Sequence, residues 1–262
     1  MKTRLDAELV RRELARSRDH AVELIQSGKI LVNGIPASKA SSQVDAQISI
    51  TLKDGHAEFV SRGGHKLSGA LDHFIDLNVV GKVALDAGAS TGGFTDVLLK
   101  RGVKKVIAAD VGYGQLAWQL QNDARVKILD RVNVRTLTKQ QVGDEIDLVV
   151  ADLSFISLKL VLPALIEVAR QSADFLVMVM PQFEVGKDKL GAGGVVRDAA
   201  LRKEAVAAVA NAALTLGLGC LGVVASPLPG PSGNVEYFLW LNKAGKALLE
   251  VDLDLAIEKG PA

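Results

Sequence analysis

An α/β fold, in which parallel strands are joined by crossover helices and preceded by a small N-terminal α+β module, is the class that this sequence predicts. Three observations predict it. From Gly81 onward, apolar runs of strand length alternate with helical segments. The stretch from Val83 to Phe94 joins a short apolar strand to a glycine-rich loop that opens a helix. The organisation of the chain also changes near residue 60, which places boundaries at residues 1–60 and 61–262.

In the N-terminal module two short amphipathic helices are expected, over Asp6–Ala15 and Arg18–Gln26, with Ser17 as N-cap of the second. Lys29 to Val32, the turn dipeptide Asn33-Gly34 and Ile35 read as a hairpin, and the alternation from Gln47 to Leu52 reads as a third strand. Lys53, Asp54 and Gly55 make a turn. Ser61 to Lys66, with its paired glycines, reads as a hinge before a helix over Lys66–Asp76. In the larger domain, strands are expected at Val83–Asp86, Lys105–Ala109, Val126–Leu129, Leu148–Ala151 and Phe175–Met180. Ser154 is expected to cap a helix beginning near Ile156, and Leu116 and Trp118 to face the core.

Composition narrows the function classes. The 262 residues are 48% hydrophobic and 4% aromatic, enough for a substantial core but poor in stacking platforms, and the net charge of +1 identifies no partner class. Cys220 is alone in an apolar run, so it is read as a core residue and no disulfide framework is possible. The N-terminus is charged from Lys2 to Arg18 and has no apolar signal core, which suits a cytoplasmic protein. No apolar stretch approaches the ~20 residues that span a bilayer. The four histidines are scattered without paired ligands, so no metal is expected.

The glycine-rich loop carries the first chemical signal. Gly88, Gly92 and Gly93 let the backbone turn tightly and approach a ligand, and the helix that follows offers unpaired N–H groups. A dinucleotide loop wants a second glycine where Ser90 stands, and Asp86 at the strand end would repel a pyrophosphate. Asp86 would instead attract a cationic ammonium, as in the methionine part of S-adenosylmethionine. Ser90, Thr91 and Phe94 complete that loop. Asp110, with Val111 beside it, ends the next strand where such folds hold the two ribose hydroxyls. Asp130 or Asn133, after the third strand, is placed to contact the base, with a cap or turn role as the alternative. Tyr113 would wall the ribose and adenine. The structural alternative for the whole loop is a glycine turn with strand-end aspartates that cap helices.

The N-terminal module resembles the S4 RNA-binding domain through Arg4-Leu-Asp6, Ala15-Arg-Ser-Arg18, Leu24-Ile25, Gly28 to Gly34 and Lys39. Arg4, Arg11, Arg12, Arg16 and Arg18 crowd its helices, where guanidinium groups would fix phosphates, although Glu8 and Glu13 stand at spacings that would pair with them. Lys29, Lys39 and Arg62 add to this RNA set, as do Lys187 and Lys189 in a glycine-rich basic segment, which as a mobile loop would either close over RNA or remain solvated.

Nearly the whole chain resembles the TlyA family of ribosomal RNA 2′-O-methyltransferases. The resemblance rests on SRGGHKL at Ser61, DAGASTGGF at Asp86, ADVGYGQLAW at Ala109, ADLSFISL at Ala151, PQFEVGK at Pro181 and SPLPGPSGNVEYFLWL at Ser226. It implies a Rossmann-like class I S-adenosylmethionine-dependent methyltransferase fold of FtsJ-like type, with Asp152 among the cofactor contacts. It also implies cytidines of 16S and 23S rRNA as targets, ribosomes or subunits as partners rather than DNA, and capreomycin susceptibility. The family's Lys-Asp-Lys-Glu tetrad maps onto Lys66, Asp152 and Glu236, but the residue before Pro181 is Met180 where the pattern has lysine.

A sulfonium is already an activated methyl donor, so the enzyme's main tasks are in-line alignment and a route for the hydroxyl proton. Orientation supplies about 7–11 kcal/mol in favourable cases, and a placed acid or base supplies ~10²–10⁴-fold. A thioether carries no charge and accepts hydrogen bonds weakly. Met180 therefore marks an impaired enzyme, or one in which Lys159, Lys187 or Lys189 stands in, or simply the continuation of an apolar strand; the first is favoured. A non-catalytic RNA- or ribosome-binding protein is the second functional reading. A haemolysin is the third, for which the sequence offers neither a spanning segment nor a strongly cationic amphipathic helix. The prolines and glycines from Pro227 to Gly233 read as a stiff lip before the strand that carries Glu236.

Overall fold

The structure, a computed structural model, describes residues 2–261 other than 13, 16, 34, 46, 47, 49, 53–58 and 231; the side chains of Lys2 and Lys187 are not described. The chain divides into two compact units, Met1–Arg62 and Gly63–Ala262.

In the first unit, α1 (Leu5–Arg11) and α2 (Arg18–Gln26) pack over two small sheets. One pairs β1 (Lys2–Arg4) with β4 (Gln43–Asp45), and the other has the order β3 (Ile35–Pro36), β2 (Ile30–Val32), β5 (Ile50–Leu52). Leu5, Leu9, Ala21, Ile25, Ile30, Val44 and Ile50 form the core. Ser17 caps α2 as expected, accepting a bond from the His20 N–H at 3.1 Å. The first helix stops four residues short of Ala15 because Arg12 turns its guanidinium to the Ile48 carbonyl, and the amides of Leu14 and Ala15 fold back to Leu9 O. The β1–β4 pair was not foreseen, since strands of three residues are too short to show alternation. The expected third strand is described only from Ile50. Gln47, Gly34 of the hairpin turn and the turn at residues 53–55 lie outside the described residues.

The second unit opens with α3 (Arg62–His73), which corrects the expected hinge, because Gly63 and Gly64 are helical. Burial of Gly64, Lys66, Leu67, Ala70 and Leu71 along one face outweighs the roughly 1 kcal/mol that each glycine costs a helix. The sheet is built from β6 (Val83–Ala87), β7 (Lys105–Ala109), β8 (Val126–Leu129), β9 (Ile146–Ala151), β10 (Ala169–Val179), β11 (Gly219–Ala225) and β12 (Tyr237–Asn242). Their order is β11-β12-β10-β9-β6-β7-β8. β6 to β10 are parallel, and β12 runs antiparallel between β10 and β11. This is the doubly wound class expected, with its chain reversal at β6. Crossovers pass through α4 (Gly93–Lys100), the short α5 (Trp118–Gln121) and α6 (Lys139–Val142), and α7 (Leu158–Val168), before α8 (Ala199–Thr215) leads to β11 and α9 (Glu250–Glu258) follows β12. Val161 and Leu165 of α7 and Val206 and Val209 of α8 pack with Val149, Phe175 and Val177 of the sheet, while Phe94 of α4 meets Phe238 with ring centroids 6.0 Å apart.

Two local expectations are corrected. The helix after β9 begins at Leu158 with Ser157 as its N-cap, not Ser154. Trp118 is 78% exposed, because in so short a helix only Leu120 turns inward; Leu116 is buried as expected. Cys220 is partly buried against the core, and burial pushes its thiol up to about 11.

At the sheet edge where the parallel strands begin, the Asp174 carboxylate accepts bonds from Lys82 Nζ at 2.6 Å, Trp240 Nε1 at 2.9 Å and Asn242 Nδ2 at 3.2 Å. Asp174→Ala leaves these donors without their acceptor and is expected to lower stability by about 1–3 kcal/mol, read as a fall in the urea midpoint at unchanged slope.

Candidate functional site

The parallel strands all end at one edge of the sheet, and antiparallel β12 begins there. Asp86, Asp110 and Asp152, Met180 after β10, and Glu236 before β12 are thereby brought to the same edge, where open α/β sheets bind ligands.

Asp86 is fully buried. Its Oδ2 accepts the Thr95 hydroxyl at 2.6 Å, and its Oδ1 is buried without a partner among the described residues. Burial, reinforced by Asp152 and Asp110 and opposed by the bonds from Thr95, pushes the carboxyl up to about 7. A buried oxygen with no donor is costly, so the geometry fits a ligand that brings a donor or a positive charge. The loop above it needs glycine at one position in particular. Gly88 has φ +86°, and a Cβ there would fall 2.3 Å from the Asp152 carbonyl. Ser90 also has positive φ, at +47°, and its N–H donates to Asp110 Oδ2 at 2.8 Å. The other oxygen of Asp110 accepts the Gly112 N–H at 2.7 Å. Thr91 holds the Ala117 amide through its carbonyl, and Gly92 and Gly93 carry the chain into α4. The side chain of Phe94 lies in the core against Phe238.

On the outer side of the loop, Val111 and Tyr113 are each 70% exposed, and the Arg131 guanidinium lies 4.4 Å over the Tyr113 ring. Asp130 Oδ2 accepts the Gly114 N–H at 3.0 Å, and Asn133 caps the turn of Val134–Thr136, so both have the structural role that was left open for them.

Of the expected tetrad, Lys66 and Glu236 meet. Lys66 Nζ donates to Glu236 Oε2 at 2.5 Å, and both side chains are buried. Asp152 lies within their field: burial raises its carboxyl to about 6, with Lys66 lowering it and Glu236 raising it. Met180 is buried, and the Ser154 hydroxyl points to its sulfur at 3.9 Å. Two possible stand-ins have other partners: Lys159 Nζ is 3.5 Å from Glu184, and Lys189 Nζ donates to Glu204 at 2.7 Å. The side chain of Lys187 lies outside the described residues.

Two residues were missed. Glu184 accepts the Ser157 hydroxyl at 2.6 Å and the Leu158 N–H at 2.7 Å, fixing the chain after Met180 to the start of α7. Asn234 is buried and bonds to Val196 N at 2.9 Å and Gly194 O at 3.1 Å, which ties the lip before Glu236 to the basic segment. With Val195 and Val196 buried, that segment is anchored at its end.

In the N-terminal unit the arginines are held by buried carboxylates. Arg4 and Arg18 bond Asp6, and Arg11 and Arg12 bond Glu8, which holds Asp6 and Glu8 well below the usual carboxylate range. The guanidiniums of Arg4, Arg11 and Arg18 still face solvent, whereas Arg12 is mostly covered. Lys29, Lys39 and Arg62 are exposed, and Arg16 and Glu13 lie outside the described residues. Among the described residues no group of His, Cys, Asp and Glu side chains is arranged to hold a metal ion, and no helix is long and apolar enough to cross a membrane.

Residues 59–243 match the FtsJ-like methyltransferase family, and residues 3–47 match the S4 domain. The chain is 56% identical over 266 residues to the 16S/23S rRNA (cytidine-2′-O)-methyltransferase TlyA of Mycobacterium tuberculosis, covering 99% of each protein. It is 34% identical to Hemolysin A of Brachyspira hyodysenteriae over 89% of this chain and 97% of that protein. A solved structure from Streptococcus thermophilus that carries a hemolysin designation superposes with a TM-score of 0.82 at 32% identity, covering 98% of this chain and 95% of that one.

The raised Asp86 carboxyl has a consequence for stability. Between about pH 4 and 7 the folded chain keeps a proton that the unfolded chain has released, so this contribution is present in acid and is lost as pH rises through 7. Relative to Asp86→Asn, the ligand-free protein is expected to lose about 1.4 kcal/mol per pH unit across that window, measured by urea unfolding at a series of pH values.

Proposed function

The chain belongs to the TlyA family of FtsJ-like methyltransferases, and from that premise we propose that it transfers a methyl group from S-adenosylmethionine to the ribose 2′-hydroxyl of cytidines in 16S and 23S ribosomal RNA. The observation that carries this reading is the buried oxygen of Asp86 that has no partner among the described residues, beneath a glycine loop and on the same sheet edge as the Lys66–Glu236 pair. Asp86 would receive the ammonium of the methionine part, and Asp110 the ribose hydroxyls. Tyr113, with Asp130 nearby, would border the adenine. When bound, the cofactor supplies an electrophilic methyl group. The residues of the chain supply orientation and charge: Lys66, held by Glu236, offers a fixed cation near the incoming hydroxyl, and Asp152 sits beside it.

RNA docking is assigned to residues 1–60 and methyl transfer to residues 61–262, in a cytoplasmic protein that works on ribosomes or their subunits. With few aromatics, docking rests on phosphate contacts and shape. Arg4, Arg11 and Arg18, aligned by Asp6 and Glu8, present charge toward solvent together with Lys29 and Lys39. The double variant Lys29→Ala, Lys39→Ala is expected to weaken binding to ribosomal subunits and to reduce the slope of log K against log salt by about 2, measured by filter binding over a salt series.

Met180 supports impaired turnover in this chain, because it puts a neutral side chain where the family has lysine. It also favours a second reading, a protein that binds ribosomal RNA without methylating it. Met180→Lys is expected to raise methyl transfer from labelled cofactor to ribosomal subunits by at least roughly tenfold, the lower part of what a placed acid or base supplies. Equal rates in the two proteins would remove the impairment reading, and no transfer by either would favour the binding protein.

A further inference from the structure

Resting on the methyltransferase reading, we propose that in this chain the Asp152 carboxylate takes the proton from the ribose 2′-hydroxyl, in place of the lysine that the family pattern puts at position 180. Among the described residues, the other candidate acceptors at the sheet edge are occupied or more completely buried. Glu236 is buried and bound to Lys66 at 2.5 Å, and Asp86 is fully buried and bonded to Thr95. Met180 offers a thioether already approached by the Ser154 hydroxyl. Asp152 is different. Its backbone is pinned by the bond from its N–H to Ala87 O at 3.1 Å, the residue is less completely covered than Asp86 or Glu236, and no hydrogen bond to its carboxylate is made among the described residues. A carboxylate on a fixed backbone, with no donor bound to it among the described residues, is placed to accept a bond from an incoming hydroxyl.

The charges that act on it come from three neighbouring elements: Lys66 on α3, Glu236 before β12 and Asp86 at the end of β6. Burial and Glu236 outweigh Lys66, which puts the carboxyl near 6 and leaves it ionised at neutral pH with useful basicity. A lysine at position 180 would add a second cation and pull Asp152 down. In the step itself the O2′–H proton moves to Asp152 Oδ while the oxygen forms its bond to the methyl carbon. The carbon–sulfur bond breaks with its electron pair passing to the sulfonium sulfur, which becomes a neutral thioether. Asp152 then releases the proton to solvent. No other reactant is required.

The test is the pH dependence of single-turnover methyl transfer from saturating labelled S-adenosylmethionine to purified ribosomal subunits, from pH 5 to 8.5. Saturation silences Asp86, which acts through cofactor binding. The expected result for the native chain is a rate that rises tenfold per pH unit below about pH 6 and is level above it. Asp152→Asn is expected to lose at least about 100-fold of the plateau, while Met180→Lys shows no limb near 6. A flat native profile overturns the proposal, as does transfer by Met180→Lys with none by the native chain. Absence of transfer by both proteins overturns the methyltransferase reading as well. The native profile requires no substituted protein, so a poorly folded Asp152→Asn does not blunt the test.

Discussion

The buried ion pair between Lys66 and Glu236 is the constraint on which the rest of the candidate site depends. Removing two charges from water is costly, and the cost is recovered only when donor and acceptor are held in close register. Here they are 170 residues apart in sequence and meet at 2.5 Å because α3 and the residue before β12 arrive at one sheet edge. The antiparallel insertion of β12 is what brings its first residue to that edge. If β12 ran parallel to its neighbours, Glu236 would lie at the opposite end of the sheet, leaving Lys66 a buried cation without its partner.

Around that pair the site carries an excess of acid. Asp86 and Asp152 are both pushed upward by burial, and each raises or is raised by a neighbouring carboxylate. Such an arrangement is poorly satisfied without a ligand and suited to one that is positively charged. The N-terminal unit shows the opposite economy: its buried carboxylates, Asp6 and Glu8, are each gripped by two arginines, so the same residues that stabilise the fold also hold cationic groups at the surface.

Much of this was legible in the sequence. The strand–glycine loop–helix run showed the doubly wound fold, and acids at strand ends are visible as apolar runs that stop at Asp86, Asp110 and Asp152. The shortest strands could not be read, since three residues carry no period. The glycines at 63 and 64 misled because helix propensity is local, whereas burial of the Leu67 and Leu71 face is tertiary. Glu184 and Asn234 were invisible for another reason. Each makes its bonds to segments 26 to 40 residues away, and nothing in their immediate sequence announces a partner.

The tether made by Glu184 bears on what position 180 can carry. It fixes the backbone just beyond residue 180 to the start of α7 whichever side chain stands at 180, so the scaffold for a cationic group there persists in its absence. Methionine and lysine codons differ by one nucleotide, AUG against AAG. A change between the two side chains at position 180 therefore takes a single genetic step, and the tether beyond it does not depend on which of them is present.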